Sequence, residues 1–297
     1  MMRVLNVVSV LSAHEGGGNA ERTVQLSRAL SGIGVECTVL TLDVGDPEAR
    51  RDQLGEARLV VLPCLHQRFQ VPRPAPSLLP ELVRSADVIH LMGYWSLLGV
   101  AVARAAERAG VPYVISPAGA LPLFGRSRLL KRLFNLVVGR RLVAQAAGWV
   151  AVTASELPDF QRYGVAPDKV AIIPNGVVEA DFARASEAMV AGAGLPDARF
   201  VLFMGRLNSI KGPDLLLEAF IAVANDHPDV QLVFAGPDEG LGDSLRARAA
   251  SAGLAERIRF LGFVSGSAKT AAYRAASLLV VPSRLEAMSI GSARRRF

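Results

Sequence analysis

Short apolar runs alternate with polar or helix-like segments along most of the chain. The runs are almost continuously Val, Ile and Leu, which is typical of parallel strands covered on both faces. Residues 19–34 have a helical pattern between the first two runs, so they predict a strand–helix–strand unit with a parallel crossover. The Pro-rich residues 65–80 predict a mobile loop over this part of the chain. The runs that predict the first series of strands are 4–11, 35–43, 57–63, 87–92, 111–117, 148–153 and 170–177.

A second series of the same kind follows a change in composition. Residues 180–197 are rich in Ala and Gly and contain no strand pattern. The two series predict an α/β fold with two Rossmann-like, doubly wound parallel-sheet domains, 1–184 and 185–297. We expect ligands in a cleft between these domains, outside the carboxyl ends of the strands. The runs of the second series are 200–205, 230–236, 258–264 and 278–283.

Composition narrows the classes of partner. The 297 residues are 51% hydrophobic and carry a net charge of +6, half of which comes from Arg294, Arg295 and Arg296. A mildly basic body suits an anionic small substrate or a membrane surface. We expect no nucleic-acid partner, because the sequence has neither a basic stripe interleaved with aromatic residues nor zinc-ligand spacing. Cys37 and Cys64 give no disulfide framework.

The apolar runs also bear on location. The first run is too short for the hydrophobic core of a secretory signal and breaks into glycines, so it is interpreted as a strand. No run reaches about 18 uninterrupted apolar residues, the length needed to span a bilayer. We therefore expect a cytoplasmic protein, with peripheral contact at the inner face of the membrane left open.

The segment "GRLNSIKGPD" places two cations between a predicted strand and a predicted helix. Arg206 follows the end of the apolar run, and Lys211 precedes Gly212 and Pro213, which suit the start of a helix. A helix start attracts anions through its unpaired N–H groups, and an Arg fork with a Lys point charge adds to that attraction. One interpretation is two solvated cations at a domain edge. The flanking glycines and the helix start favour a seat for a phosphate or diphosphate.

This segment resembles the "GR…KG" signature of the group 1 (family 4) retaining glycosyltransferases. Other segments resemble parts of the same family in the same order, and the likeness covers nearly all of residues 3–290. It implies the two-Rossmann GT-B fold and transfer of a sugar from a nucleotide-diphospho-sugar to a glycan or lipid-linked acceptor, with retention of configuration. The segments are "GGGNAERTVQLSRAL", "ADVIHLMGYW", "VPYVISPAGALP", "VAVTASELPDFQRYGV", "KVAIIPNGV", "LVFAGPDEG", "IRFLGFV" and "VVPSRLEAMSI".

The resemblance implies roles for individual residues. Arg206 and Lys211 would bind the donor diphosphate and stabilise the charge on the leaving group, while Glu286 would orient the sugar. No metal and no other cofactor are expected, because the two cations would replace the metal. The first domain would then lie on the acceptor side, and the second would bind the donor. The implied donor-binding residues are Gly17, Gly18, Gly205, Gly212, Gly236, Gly262, Phe263 and Val264.

The chain departs from the family pattern at two positions. Ala118 stands where many members have a His that contacts the donor sugar, and Arg294 stands where a second Glu, on the nucleotide ribose, is expected. The patterning ends in "GSARRRF" after only four strands of the second series. We therefore expect a truncated donor domain, with a natural basic tail as the other interpretation. A non-catalytic fragment or pseudoenzyme of such a transferase is an alternative function.

The glycine loop raises a weaker alternative. A dinucleotide fingerprint could begin at Gly16 and continue at Gly18, but Glu21 occupies its third glycine position. Asp43 ends the next predicted strand, where a ribose ligand would lie. An NAD(P)-dependent oxidoreductase is therefore disfavoured. Among the histidines, His90 is interpreted as a hydrogen-bonded core residue at the end of a strand.

Residues 125–146 predict a basic helix with Leu, Phe and Val between the cations. One interpretation is an ordinary amphipathic helix with a solvated polar face. The other is contact with anionic lipid head groups or with a phosphate-bearing acceptor. The cations are Arg126, Arg128, Lys131, Arg132, Arg140 and Arg141.

Overall fold

The computed structural model describes residues 1–123, 127–176 and 194–284. The chain divides into two compact units, Met1–Gly176 and Val177–Phe297. The predicted boundary at 184/185 lies in 177–193, outside the described residues, and it stays a prediction.

The first unit contains a parallel sheet of seven strands, in the order β3-β2-β1-β6-β7-β8-β9. Each predicted run of the first series forms one of these strands, so that part of the sequence prediction is confirmed. A separate antiparallel pair, β4 and β5, lies between β3 and β6 in the chain. The strands are β1 Arg3–Val7, β2 Glu36–Leu42, β3 Arg58–Leu62, β4 Cys64–His66, β5 Val71–Pro72, β6 Val88–Met92, β7 Tyr113–Ser116, β8 Gly148–Ala151 and β9 Val170–Ile172.

Helices cover both faces of this sheet, which is why its strands are apolar on both sides. Val4 and Val39 pack with Val24 of α1 on one face, whereas Leu5 and Leu40 belong to the core that includes α3 on the other. A π-helical turn, Asn135–Gly139, joins α4 to α5. The helices are α1 Gly17–Gly32, α2 Leu78–Arg84, α3 Leu97–Ala109, α4 Arg128–Phe134, α5 Arg140–Ala144 and α6 Leu157–Arg162.

The prediction of a mobile loop over 65–80 is wrong in part. This segment contains most of the β4–β5 pair and the beginning of α2, whose Leu82 and Val83 are buried. Proline lacks a backbone N–H, so Pro72 fits a short pair at an edge but would not fit a central strand.

The second unit contains a parallel sheet of four strands among its described residues, in the order β12-β11-β10-β13. They coincide with the four apolar runs of the second series, so the expectation of two Rossmann-like parallel sheets is confirmed. Phe203 and Leu232 pack on the face that includes α7, and Leu202 and Val233 on the face that includes α9. The elements are β10 Phe200–Met204, α7 Pro213–Val223, β11 Gln231–Ala235, α8 Gly242–Ser251, β12 Ile258–Gly262, α9 Gly266–Ala275 and β13 Leu278–Leu279.

Within the three described ranges, none of the helices combines the length and the apolar character needed to cross a bilayer.

Candidate functional site

The carboxyl ends of three strands of the second unit are tied together by backbone hydrogen bonds. Loops that follow β10 and β11 run side by side, and the end of β12 joins them. This is the edge of a parallel sheet at which α/β proteins place their ligands. The donor–acceptor pairs are Gly205 N to Ala235 O, Leu207 N to Pro237 O, Glu239 N to Leu207 O and Gly236 N to Gly262 O, at 2.7–3.2 Å.

Two of the predicted glycines are required by this close packing. Gly236 has φ 151°, and a Cβ atom there would overlap the carbonyl of Gly205. Gly212 has φ 67°, and a Cβ atom there would overlap the carbonyl of Pro282. Glycine is the residue that tolerates both the positive φ and the backbone contact.

Arg206 lies at this edge, directly after β10, with 45% of its side chain exposed. Its Nη1 donates to Glu239 Oε1 at 3.0 Å, and Asn208 Nδ2 donates to Glu239 Oε2 at 2.7 Å. One carboxylate from the β11 loop therefore holds two side chains of the β10 loop. The sequence predicted Arg206 but not Glu239, which is 33 residues away.

Lys211 stands two residues before the first residue of α7. Its backbone N–H donates to Asn208 Oδ1 at 3.0 Å, and its side chain is half-buried. Gly212 is the N-cap residue and Pro213 is the first residue of the helix, as the pattern predicts. The two predicted cations thus lie in one short loop that ends at a helix N-terminus.

Arg284, which follows β13, braces the same loop. It makes two parallel hydrogen bonds to the Asp214 carboxylate, at 2.8 and 2.6 Å, and a third to the carbonyl of Ser209 at 2.8 Å. The hydrogen bonds from Arg284 hold the pKa of Asp214 below its usual value. The sequence analysis did not identify this pair, although Arg284 stands in the "PSR" segment.

Asp238 lies in the loop between β11 and α8 and stabilises it through hydrogen bonds to the loop's own backbone. Its Oδ1 accepts the backbone N–H groups of Gly240, Leu241 and Gly242 at 2.8–3.1 Å, which closes the turn into α8. These bonds, first among them that from Gly242, lower the pKa of the Asp238 carboxyl. Glu239 is therefore held beside Arg206 by a fixed turn.

The remaining predicted donor residues fall in three places. Gly262 ends β12 with φ 68°, Phe263 is 39% exposed, and Val264 packs against the core of the second unit. Gly17 and Gly18 begin α1 in the first unit, and both are exposed. Glu286 lies outside the described residues, so its predicted role stays a prediction.

The glycine loop of the first unit does not form a dinucleotide site of the usual kind. Gly16 N–H donates to Ser12 O at 2.9 Å, which closes a turn before α1. Glu21, at the third glycine position of the fingerprint, accepts from Arg50 at 2.9 Å. A side chain engaged in an ion pair therefore occupies the position where the fingerprint needs a glycine against the sheet.

The "SPAG" segment is held by a buried carboxylate that the sequence analysis missed. Glu156 is 3% exposed, and its two oxygens accept from Gly119 N at 2.6 Å and Val152 N at 2.8 Å. Ala118 has φ 49°, a backbone conformation that costs a non-glycine residue about 1–2 kcal/mol. The loop therefore has a fixed conformation despite the absence of the family's His.

His90 lies in the middle of β6, not at the end of a strand as predicted. Burial, with the nearby charge of Arg22, lowers its pKa to about 4, and its Nε2 has no hydrogen-bond partner among the described residues. Arg22 itself is buried and donates to Asn175 Oδ1 and Ile173 O. His90 is thus neutral at physiological pH.

The predicted acceptor-side cations lie on α4. Arg128 and Arg132 are exposed, whereas Lys131 is half-buried with its ammonium 5.3 Å from the ring centroid of Trp95. Burial lowers the pKa of Lys131. Arg126 lies outside the described residues.

Across 1–123, 127–176 and 194–284 there is no group of three His, Cys, Asp or Glu side chains that could hold a metal ion.

Known families and structures match both parts of the chain. Residues 16–180 match the model described as Glycosyltransferase Family 4, and residues 187–291 match the model described as Glycosyl transferases group 1. The D-inositol 3-phosphate glycosyltransferase of Acidothermus cellulolyticus is 30% identical over 93% of this chain and 67% of its own length. The Salinispora tropica protein of the same name is 32% identical over 71% of this chain and 48% of its own. The chain thus spans about half to two thirds of the length of these relatives.

A solved structure agrees over both units. Anabaena Alr3699/HepE, in complex with UDP and glucose, has a TM-score of 0.76 and 18% identity, covering 99% of this chain and 78% of that one. The likeness confirms the GT-B fold. Together with the family matches, it favours the glycosyltransferase prediction over the dinucleotide alternative.

Proposed function

We propose that this chain, which belongs to glycosyltransferase family 4, moves a sugar from a nucleotide-diphospho-sugar to an acceptor hydroxyl with retention of configuration. One observation carries the proposal: Arg206 and Lys211 stand in a single braced loop at the carboxyl edge of the sheet, directly before α7. A diphosphate carries the charge that such a loop attracts.

In the proposed reaction, the protein accelerates the step mainly by electrostatic stabilisation of the leaving group. The bond between the anomeric carbon and the diphosphate oxygen breaks, and the acceptor oxygen bonds to the same face of that carbon. The acceptor oxygen is itself the attacking group, so the reaction needs no protein nucleophile, and the acceptor proton passes to the leaving diphosphate. Arg206, Lys211 and the N–H groups at the start of α7 would stabilise the charge that grows on the leaving group. Glu286 would orient the sugar.

The braces around the loop support this assignment. Transition-state stabilisation requires donors that are already fixed in place before charge develops. Asn208 and Glu239 hold the first half of the loop, and the Arg284–Asp214 pair holds the second half. The backbone that carries the two cations is therefore held in place before a diphosphate binds.

The comparisons suggest the first substrates to test. The Anabaena structure contains UDP and glucose, and two relatives are named for D-inositol 3-phosphate. We propose a UDP-sugar as the donor and an inositol phosphate as the first acceptor to assay, with glycan and lipid-linked acceptors as the wider class. The role of a metal is assigned to Arg206 and Lys211, so EDTA should leave turnover unchanged.

The test measures UDP binding by calorimetry and the anomeric configuration of the product by NMR. Arg206→Ala and Lys211→Ala should each reduce turnover about a hundred- to a thousandfold, the usual effect of removing one preorganised charge contact. Arg199→Ala is the matched control, because Arg199 is also ion-paired (to Asp229) but precedes β10 at the opposite edge of the sheet.

The outcomes separate the alternatives. If Arg206→Ala and Lys211→Ala each reduced turnover by less than about fivefold, the diphosphate assignment would be contradicted. An equal reduction of turnover by Arg199→Ala would also contradict it. UDP binding without turnover on any acceptor would favour the non-catalytic alternative.

A further inference from the structure

The helix of residues 128–144 carries apolar side chains on its outer face. Its outward positions include five large apolar residues, all of which are more than half exposed. We name these five residues the apolar ridge. They are Leu129 (78% exposed), Leu130 (56%), Leu133 (55%), Leu136 (82%) and Val137 (64%). The helix therefore exposes large apolar side chains as well as the cations of its polar face.

The inner face of the same helix is anchored, so the apolar ridge cannot turn inward. Asn135 accepts from the Tyr94 hydroxyl and donates to the Tyr163 hydroxyl at 2.8 Å. Phe134 packs edge-on against Tyr94, with ring centroids 5.6 Å apart. A Cβ atom on Gly139 would overlap the Tyr94 hydroxyl. The ridge is a fixed feature of the surface, and an exposed apolar patch of this kind marks an interaction site.

The charged side chains on this helix all have one sign. Arg128, Arg132, Arg140 and Arg141 are exposed on the same helix. The sequence contains no Asp or Glu between residues 127 and 147. Apolar side chains flanked by an excess of cations, of which Arg141 is paired with Glu107, match a surface that offers both hydrocarbon and negative charge.

A basic groove adjoins the ridge. It has a volume of about 400 Å³, lies between α3 and α5, and reaches the ridge at Val137. Its floor is apolar, and its rim carries Arg104, Arg108 and Arg141, the last paired with Glu107 at 3.0 Å. A lipid phosphate at this rim would meet two or three guanidinium groups, which bind phosphate oxygens in pairs.

We infer that this face docks the protein on an anionic phospholipid membrane, with the apolar ridge among the acyl chains and the groove on a lipid phosphate. The positive charge of this face favours a membrane over a second copy of the chain as its partner. A second copy of the chain, docked ridge to ridge, would bring the same four arginines against one another, and like charges at an interface are unfavourable. A bilayer with anionic head groups satisfies both the leucines and the arginines. This inference is independent of the transferase proposal.

The test uses the full chain with vesicles of phosphatidylglycerol and phosphatidylcholine, and with vesicles of phosphatidylcholine alone. Sedimentation should be strong with the anionic vesicles and should fall as salt is raised, because exposed charges are screened within about 10 Å at 0.1 M. Hydrogen exchange should slow at 128–144 when these vesicles are added. That readout needs no variant.

Matched variants locate the surface. The double variant Leu129→Ser/Leu136→Ser should weaken vesicle binding at least about tenfold, since each Leu loses its apolar contact. Ile33→Ser is its control, because Ile33 is also 78% exposed but is the C-cap residue of α1, on another element. Arg128→Gln/Arg132→Gln should weaken binding about fivefold for each cation. Arg58→Gln/Arg84→Gln, two exposed arginines elsewhere on the same unit, should leave it unchanged.

Three results would overturn the inference. The first is equal sedimentation with neutral and anionic vesicles, and the second is unchanged vesicle binding by Leu129→Ser/Leu136→Ser. The third is hydrogen exchange that slows elsewhere in the chain but not at 128–144. A dimer in light scattering that Leu129→Ser/Leu136→Ser abolishes, without vesicle binding, would instead assign the ridge to a second copy. Unchanged far-UV circular dichroism of the variants excludes loss of fold as the cause.

Discussion

Arg284 and Asp214, 70 residues apart in sequence, meet through two parallel hydrogen bonds that fasten the segment after β13 to the start of α7. The contact spans the loop that contains Lys211, because Arg284 N–H also donates to the carbonyl of Ile210 at 2.8 Å. Two strands that are neighbours in the sheet, β10 and β13, thus fix one loop between them.

Arg284→Ala should affect ligand binding more than stability. Both side chains are more than a third exposed, and exposed pairs contribute only about 0.2–1 kcal/mol to the free energy of unfolding. The loop around Lys211 would lose its brace, so we expect UDP affinity to fall about tenfold while the melting temperature moves by a few degrees at most. The control is Arg248→Ala, which removes a similar exposed pair with Glu218 away from the loop. An equal loss of UDP affinity in both variants would contradict the bracing role.

Glu239→Gln should strengthen nucleotide binding. The carboxylate holds Arg206 but also places a negative charge beside the proposed diphosphate site. A Gln amide oxygen can still accept from Arg206 without that charge. We expect the dissociation constant for UDP to fall about threefold to fivefold at low salt, the scale of one exposed charge interaction, and the gain to shrink as salt is raised. Glu218→Gln should show no change, and weaker binding by Glu239→Gln would mean that the charge itself positions Arg206.

The sequence could predict those parts of the site that are close together along the chain, but not the contacts between residues that are far apart along it. The apolar run at 200–205 locates the strand end, and hence the loop with Arg206 and Lys211, because a strand and the loop after it are local features. Glu239 and Arg284 could not be assigned in the same way. Their contacts depend on which strands become neighbours, β11 on one side of β10 and β13 on the other.

The apolar ridge is a second feature that could not be predicted from the sequence. Leu and Val surround the helix of 128–144, so its hydrophobic pattern does not indicate which side faces the core. Tyr94 and Tyr163 settle the orientation by bonding Asn135, and both belong to other elements. The choice of face is thus a tertiary effect that no local pattern contains.

Gly236→Ala should destabilise the second unit strongly. The new methyl group would meet the Gly205 carbonyl, and the residue would have to adopt φ 151°. We expect a loss of more than about 2 kcal/mol in the free energy of unfolding, since backbone overlap cannot be relieved by a rotamer change. Gly253→Ala separates the two causes, because Gly253 also has a positive φ (71°) but open space around its Cβ position. Equal losses, measured by urea unfolding, would show that φ alone matters.

His90 predicts the pH dependence of the first unit. Its pKa is about 4 in the folded protein, below the value of about 6.5 in an unfolded chain. The unfolded chain therefore binds more protons between these two values, and stability that is fully present above pH 6.5 is lost as the pH falls toward 4. The loss reaches up to about 3 kcal/mol, at 1.36 kcal/mol for each pKa unit. His90→Gln removes the titrating group, so its free energy of unfolding should fall less between pH 7 and pH 5 than that of the parent chain. Parallel curves for the two proteins over this range would show that folding does not lower the pKa of His90.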